Sequence, residues 1–276
     1  MLDTLRSVSH ERDVDLEVVV VDNGSDDGSA AAVRRHFPHF QVVELGANLG
    51  FGRANNAGLE QCRGELVLLL NPDVTVVPGC VGRLAGFLGC RPEAGAVGPR
   101  LQRPDGGLDP AAMRGFPTPS AAFYRLTGLS RLFRRSARFN RYNLGHLDPT
   151  RENQIDAGTA ACLMVRRAAL DEAGPFDPDF FMYGEDLDLC YRLHQAGWSI
   201  HYLPEAVAVH VKGASSRQAT GRMLYEFHRA MWTFHRKHNA GRLPAPANAL
   251  VWSAIWARWA LLAGRARLTG DRRVSL

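Results

Sequence analysis

Cysteine is scarce and shows no pairing pattern. There are five in 276 residues, Cys62, Cys80, Cys90, Cys162 and Cys190, an odd number with no C-x-x-C spacing. This argues against a disulfide-stapled fold and a zinc knuckle, and reads as a reduced chain of cytosolic type. The opening Met1-Leu2-Asp3-Thr4 lacks the basic stretch and apolar run of a secretory signal. No Gly-Lys-Ser/Thr follows any glycine loop, so a P-loop is absent, and no internal repeat is evident. Acidic residues are missing from residues 110–147, which carry Arg114, Arg125, Arg131, Arg134, Arg135, Arg138 and Arg141. They are rare over residues 212–276, where twelve basic residues face only Glu226 and Asp271. With a formal net charge of only +5, the remainder is acidic. Two basic segments on an acidic body suit an anionic partner (phosphate, nucleic acid or an acidic membrane face) or else form a solvated surface.

The composition is otherwise that of a globular domain, 46% hydrophobic and 22% charged, which argues against a disordered, collagen-like or coiled-coil chain. Residues 16–21 are apolar and β-branched and end at Asp22-Asn23-Gly24-Ser25-Asp26-Asp27-Gly28-Ser29, so a strand, a loop and a helix starting near Ser29 are expected. Strand character returns at 41–45 and 65–70, helical character at 54–62 and 81–88. This alternation predicts a mostly parallel α/β sheet. Residues 102–154, rich in Pro, Gly and Arg with interleaved aromatics, read as a lid or acceptor-side insertion with one amphipathic helix near 120–135. Residues 161–165 and 206–211 read as strands, 185–196 as a helix closed by Gly197, and the last sixty residues as helices.

In open α/β sheets ligands bind beyond the carboxyl ends of the strands. Three polar clusters fall at such ends: Asp22-Asn23-Gly24-Ser25, Asn48 to Arg53, and Asn71-Pro72-Asp73. One Asp after a strand is usually a turn former; three clusters in succession converge on one crevice. Gly50-Phe51-Gly52-Arg53-Ala54-Asn55 is a broken dinucleotide fingerprint, with Asn where Gly or Ala is required. The densest segment is Gly184-Glu185-Asp186-Leu187-Asp188-Leu189-Cys190-Tyr191-Arg192. Acids at a helix start are favourable for the dipole alone, and Asp188 and Arg192 stand four apart and can pair. Neither explains four charged groups beside a Phe-Met-Tyr-Gly approach loop.

Val19-Val20-Val21-Asp22-Asn23-Gly24-Ser25, Asn48-Leu49-Gly50-Phe51, Leu70-Asn71-Pro72-Asp73 and Glu185 to Arg192 occur in this order and spacing. Together they resemble the family 2 inverting glycosyltransferases of the GT-A fold, in particular the rhamnosyltransferase-like branch, over about residues 1–216. The resemblance implies a GT-A domain at 1–216 and leaves 217–276 as a basic helical extension. It implies that Asp22 meets the pyrimidine of a nucleoside-diphosphate-sugar, and that Asn48, Gly50 and Arg53, with Asn23, Asn71 and Arg192, line the donor side. Asp73 stands at the family's metal-binding position, with Asn71 replacing the first acid of that motif, and His210 is similar to the late histidine that completes the site; a satisfied strand histidine is the plainer alternative. A hard divalent ion, Mg²⁺ or Mn²⁺, suits those donors. Asp186 resembles the catalytic base, with Glu185 beside it.

The resemblance further implies a hexose or deoxyhexose, L-rhamnose in particular, moved to a hydroxyl of a cell-surface glycan or lipid-linked intermediate at the inner face of the plasma membrane. The alternatives are a sugar-nucleotide transferase, whose Gly-rich Arg loop is not seen, and a non-catalytic nucleotide-sugar-binding relative. Nucleic acid is not expected as a partner, because no recognised binding motif accompanies the arginines. Residues 247–264 are apolar apart from Arg258 and carry Trp252, Ile255, Trp256 and Trp259 on one stripe, so peripheral membrane contact through this tail is expected, with packing onto the body as the alternative. Finally, the family's usual first strand has no counterpart before Met1. The chain is therefore expected to extend upstream, and without that strand to have an open edge beside residues 16–21, reduced stability and weaker donor binding.

Overall fold

The computed structural model describes residues 1–211 and 220–269. The chain runs α1 (Leu2–Ser9), β1 (Val19–Asp22), α2 (Ser29–His36), β2 (Gln41–Glu44), α3 (Phe51–Leu59), β3 (Leu66–Leu70), β4 (Val74–Val76), α4 (Cys80–Cys90) and β5 (Ala94–Gln102). There follow α5 (Pro119–Leu126), α6 (Leu129–Leu132), β6 (Asn153–Ile155), β7 (Cys162–Arg166), α7 (Arg167–Ala173), α8 (Glu185–Gln195), β8 (Ser199–His210), α9 (Thr220–Phe234) and α10 (Ala245–Thr269). The expected boundary at 216/217 lies outside the described residues.

The sheet is mixed, and the mostly parallel arrangement expected from the strand–helix alternation is corrected. β1 and β2 pair in parallel, as do β5 and β8, but β3–β7, β5–β7, β4–β8 and β6–β8 are antiparallel. The strand–helix alternation belongs to the first half of the chain; the later strands insert between the earlier ones. The strands also form two sheets: β1–β2 alone, and a six-stranded sheet in the order β3-β7-β5-β8-β4 with β6 also on β8. Among the described residues β1 pairs with β2 alone.

Two further expectations change. β8 is twelve residues long rather than six, because it runs through Pro204 by a register shift against β5: Leu203 faces Pro99 and Val207 faces Arg100. Proline cannot donate to a ladder, so the sequence pattern breaks where the strand merely bulges. The single helix expected near 120–135 is two short ones, α5 and α6, parted at Gly128, whose φ of 77° ends a right-handed helix. The main core lies around β5, β7 and β8, with Leu84, Leu88, Leu163, Leu189, Leu193 and Ile200 fully buried. A small second core of Leu5, Val33 and Phe37 lies under β1–β2.

α1 is fastened to the larger sheet. Thr4 Oγ1 donates to the Pro72 carbonyl at 2.8 Å, and Val76 N donates to Ser7 Oγ at 3.1 Å. Just after α1, the buried Glu11 accepts from Gly79 N (2.9 Å) and Val81 N (3.2 Å), capping α4 from a distant segment. These are donors with no intrahelical partner. Glu11→Ala is expected to lower stability by about 1–3 kcal/mol, and an unchanged urea midpoint would contradict this.

The tail packs on the body. Ile255 is buried, and Trp256 and Trp259 lie 5.5 and 6.2 Å from the Tyr225 ring of α9. The stripe expected to face a membrane is thus turned inward, leaving Trp252 on the exposed side. No helix among the described residues is long and apolar enough to cross a membrane.

Candidate active site

The loops after β1 and before α3 are tied into one surface. Asn23 Nδ2 donates to Asn48 Oδ1 (3.2 Å) and to the Gly50 carbonyl (3.3 Å), Leu49 N donates to Asn23 Oδ1 (2.8 Å), and Gly50 N donates to Asn48 Oδ1 (3.0 Å). Gly50 has φ 89°, and a Cβ there would meet the Phe181 carbonyl oxygen at 2.4 Å. Phe51 N donates to that same carbonyl at 2.8 Å, so the approach loop at 176–184 is clamped against the start of α3. Asp22 Oδ1 accepts from Ser25 N at 3.1 Å, a turn-forming role. Arg53 is exposed on the first turn of α3. Asn71 is a backbone hinge, its N–H on the Ala161 carbonyl and its own carbonyl accepting from Val74 N.

Arg192 is brought elsewhere. Its Nε donates to Asp188 Oδ2 (2.8 Å) and its Nη1 to the Ala173 and Gly174 carbonyls. Asp188 also pairs with His238 Nε2 at 2.7 Å. Burial alone would raise the Asp188 carboxyl, but the hydrogen bonds from His238 and Arg192 hold it below its ordinary value. The structure therefore gives Arg192 a packing role. Within the basic tail, Lys237 pairs with Asp177 (2.6 Å) and Asp179 (2.8 Å) on the approach loop.

Asp73 and His210, far apart in sequence, meet. β4 pairs with β8 in a register that sets Val74 opposite His210, which places Asp73 Oδ1 3.4 Å from His210 Nε2. The other ring nitrogen, Nδ1, lies 3.0 Å from Oδ2 of Asp109, a fully buried carboxylate. Burial opposes the imidazolium, but the Asp109 hydrogen bond and the facing Asp73 carboxylate outweigh it and raise His210 to about 9. Asp73 Oδ1 is buried without a hydrogen-bond partner. Asp73 Oδ1 and the His210 Nε2 that it faces fit a hard divalent cation, which would displace the Nε2 proton and take its remaining ligands from phosphate and water. Among the described residues no group of three or more such side chains is arranged as a self-contained metal site.

At the start of α8, Asp186 Oδ2 lies 2.6 Å from Arg114 Nη2, both side chains largely buried. Burial works against the guanidinium charge, but Asp186 outweighs it and the Arg114 pKa is raised. Glu185, beside them, is buried with Oε2 unpartnered; desolvation, then the Asp186 charge, raise it to about 8. Since the folded value lies above the unfolded one of 4.5, the native state binds the extra proton and stability falls as pH rises from about 4.5 towards 8. Glu185→Gln is expected to flatten that fall in thermal melts and to exceed wild type in stability near pH 8. An unchanged pH dependence would refute the raised value.

Sequence reading missed Asp109 and Arg114. Both come from the entry to the 102–154 insertion, which carries Asp109 to His210 and Arg114 to Asp186. The available signals were weak: Asp109 precedes Pro110, as a helix cap does, and Arg114 sits beside Met113 and Phe116 in an otherwise exposed arginine series.

This mixed sheet, with polar loops on one crevice and a carboxylate pair at a helix start, is a nucleotide-sugar transferase architecture. The chain belongs to glycosyl transferase family 2, whose model matches residues 1–174, while a second model, glycosyl transferase family group 2, matches residues 157–264 and so extends the likeness into α10. It is a glycosyltransferase. It is 31% identical, over 99% of this chain and 91% of the relative, to N-acetylglucosaminyl-diphospho-decaprenol L-rhamnosyltransferase of Mycobacterium tuberculosis. Among solved structures it is similar to the mannosyltransferase PcManGT of Pyrobaculum calidifontis in complex with GDP-Man and Mn²⁺ (TM-score 0.55, 19% identity, all of this chain and 72% of that one). It is also similar to S. aureus TarS (TM-score 0.56, 16% identity, 93% of this chain), of whose length it spans 40%.

Proposed function

We propose that this enzyme transfers a deoxyhexose, L-rhamnose, from a nucleoside-diphosphate donor to a hydroxyl of a lipid-linked glycan intermediate, with inversion at the anomeric carbon. The observation that carries this reading is the likeness to the mycobacterial rhamnosyltransferase along nearly the whole of both chains. The donor lies across the Asn23–Asn48–Gly50 surface, with Asp22, Arg53 and Asn71 at its margins.

An acceptor hydroxyl is a poor nucleophile until a base takes its proton. Asp186 and Glu185 are the adjacent carboxyls at the start of α8. The base is Asp186, as its place in the Glu-Asp-x-Asp segment implies, held in one orientation by Arg114; burial and the neighbouring Asp186 charge push the Glu185 carboxyl above its ordinary value. Asp73 and His210 would hold a divalent cation, and Asp109 would fix the ring so that Nε2 faces it. When bound, that ion offsets the charge on the departing nucleoside diphosphate.

The test is a transfer assay. UDP-, GDP- and dTDP-sugars are offered with a polyisoprenyl-diphosphate-linked amino sugar, with Mg²⁺ or Mn²⁺ and with chelator, and the product's anomeric configuration is read by NMR. Transfer from dTDP-L-rhamnose with inversion is the expected result; binding of donors without transfer or hydrolysis would overturn the reading.

A further inference from the structure

Of the seven arginines in residues 110–147, Arg114 and Arg141 pair with Asp186 and Asp156. Among the described residues the other five have no carboxylate partner. Four of them, Arg125, Arg131, Arg134 and Arg135, line a cavity of about 500 Å³ together with Asn140 and Asn143. The wall therefore presents four guanidinium groups with no carboxylate partner among the described residues, while the Asn140 and Asn143 amides are taken up by the Arg134 carbonyl and by each other. Guanidinium forks of this kind match phosphate oxygens better than any other side chain.

The same α5–α6 hairpin turns large apolar side chains into solvent: Phe123 is 57% exposed, Leu126 73%, Leu132 73% and Phe133 45%. Phe123 and Leu126 are three apart, on one face of α5. Single exposed apolar residues are ordinary on any surface, and so are solvated arginines. Here both crowd into one short hairpin that holds no acid, the combination that suits a segment lying in a bilayer interface.

We propose that the α5–α6 hairpin docks this enzyme on an anionic bilayer, with phospholipid phosphates entering the arginine cavity while Phe123, Leu126, Leu132 and Phe133 pass into the acyl boundary. The element is different from the tryptophan stripe of α10, which is packed on α9. The proposal stands on charge and exposure and does not depend on which sugar or acceptor is used.

The experiment is co-sedimentation of the full chain with vesicles of phosphatidylcholine alone and of phosphatidylcholine with phosphatidylglycerol, at low and high salt. Binding is expected only to the anionic vesicles and should fall with salt. Arg131→Gln with Arg134→Gln should weaken it roughly 30-fold, and Leu126→Ser with Leu132→Ser about tenfold or more. Trp252→Ser with Leu261→Ser in α10 should leave it within about threefold on the same scale. All these side chains are exposed, and an unchanged thermal midpoint with intact donor affinity serves as the folding check. The proposal is overturned if both hairpin variants bind like wild type, if the α10 variant alone abolishes binding, or if neutral vesicles bind equally. It is overturned too if inorganic diphosphate binds in an arginine-dependent way and releases the protein from vesicles, which would make the cavity a site for free phosphate.

Discussion

Asp186→Asn is expected to lower turnover by on the order of 10²-fold or more while leaving donor affinity within a few-fold. Asparagine keeps the shape and an oxygen that accepts from Arg114, but cannot take a proton from the acceptor. The structure adds a cost that the sequence does not show. Arg114 and Asp186 form a largely buried pair at 2.6 Å, so the variant leaves a buried guanidinium without its counter-charge. Breaking such a pair outright costs about 3–5 kcal/mol, and retaining one hydrogen bond brings the expected loss to roughly 1–3 kcal/mol. The measurement therefore has two parts: single-turnover transfer, and donor binding by calorimetry below the variant's lowered melting temperature. Intact donor binding with lost transfer supports the assignment of the base, whereas wild-type-like turnover would remove it.

Asp73→Asn is expected to abolish most of the metal-dependent rate, by on the order of 10²-fold, and to weaken Mn²⁺-dependent donor binding. Asp109→Asn, one shell further out, is expected to cost about 10–100-fold in metal affinity or activity. The geometry sets this order. Asp73 Oδ1 is the buried oxygen without a hydrogen bond, whereas Asp109 acts through His210 Nδ1 at 3.0 Å. Mn²⁺ titrations of donor binding distinguish the two, because Asp109→Asn should shift the metal midpoint while full activity returns at high metal. A wild-type enzyme equally active in chelator, or an Asp73→Asn variant with wild-type metal dependence, would refute the metal assignment.

The loop residues were legible because their chemistry is local. Asn23, Asn48 and Gly50 follow apolar β-branched runs and supply turn geometry at the ends of strands, so sequence alone places them on one rim. The positive φ of Gly50 and its contact with the Phe181 carbonyl follow the same logic, since only glycine tolerates that approach. Glu185 and Asp186 were legible as acids at a helix start. Arg192 shows the limit of such reasoning: a charged residue near a site motif was placed on the donor side, but its donors serve Asp188 and two carbonyls.

By itself, the sequence determined the crevice-forming loops, the carboxylate pair and the order of most elements, because turn chemistry, hydrophobic period and helix-start charge act over a few neighbouring residues; the class of chemistry followed from the resemblance of its motifs to family 2 glycosyltransferases. Only the tertiary structure decided which strands are antiparallel, that β8 continues through Pro204, and that α10 turns Trp256 and Trp259 onto α9. It also decided that Asp109 reaches His210 and Arg114 reaches Asp186. Those outcomes depend on strand order and register, which bring residues distant in sequence within hydrogen-bond reach. No periodicity records such a pairing, since its energy exists only once both partners are buried together.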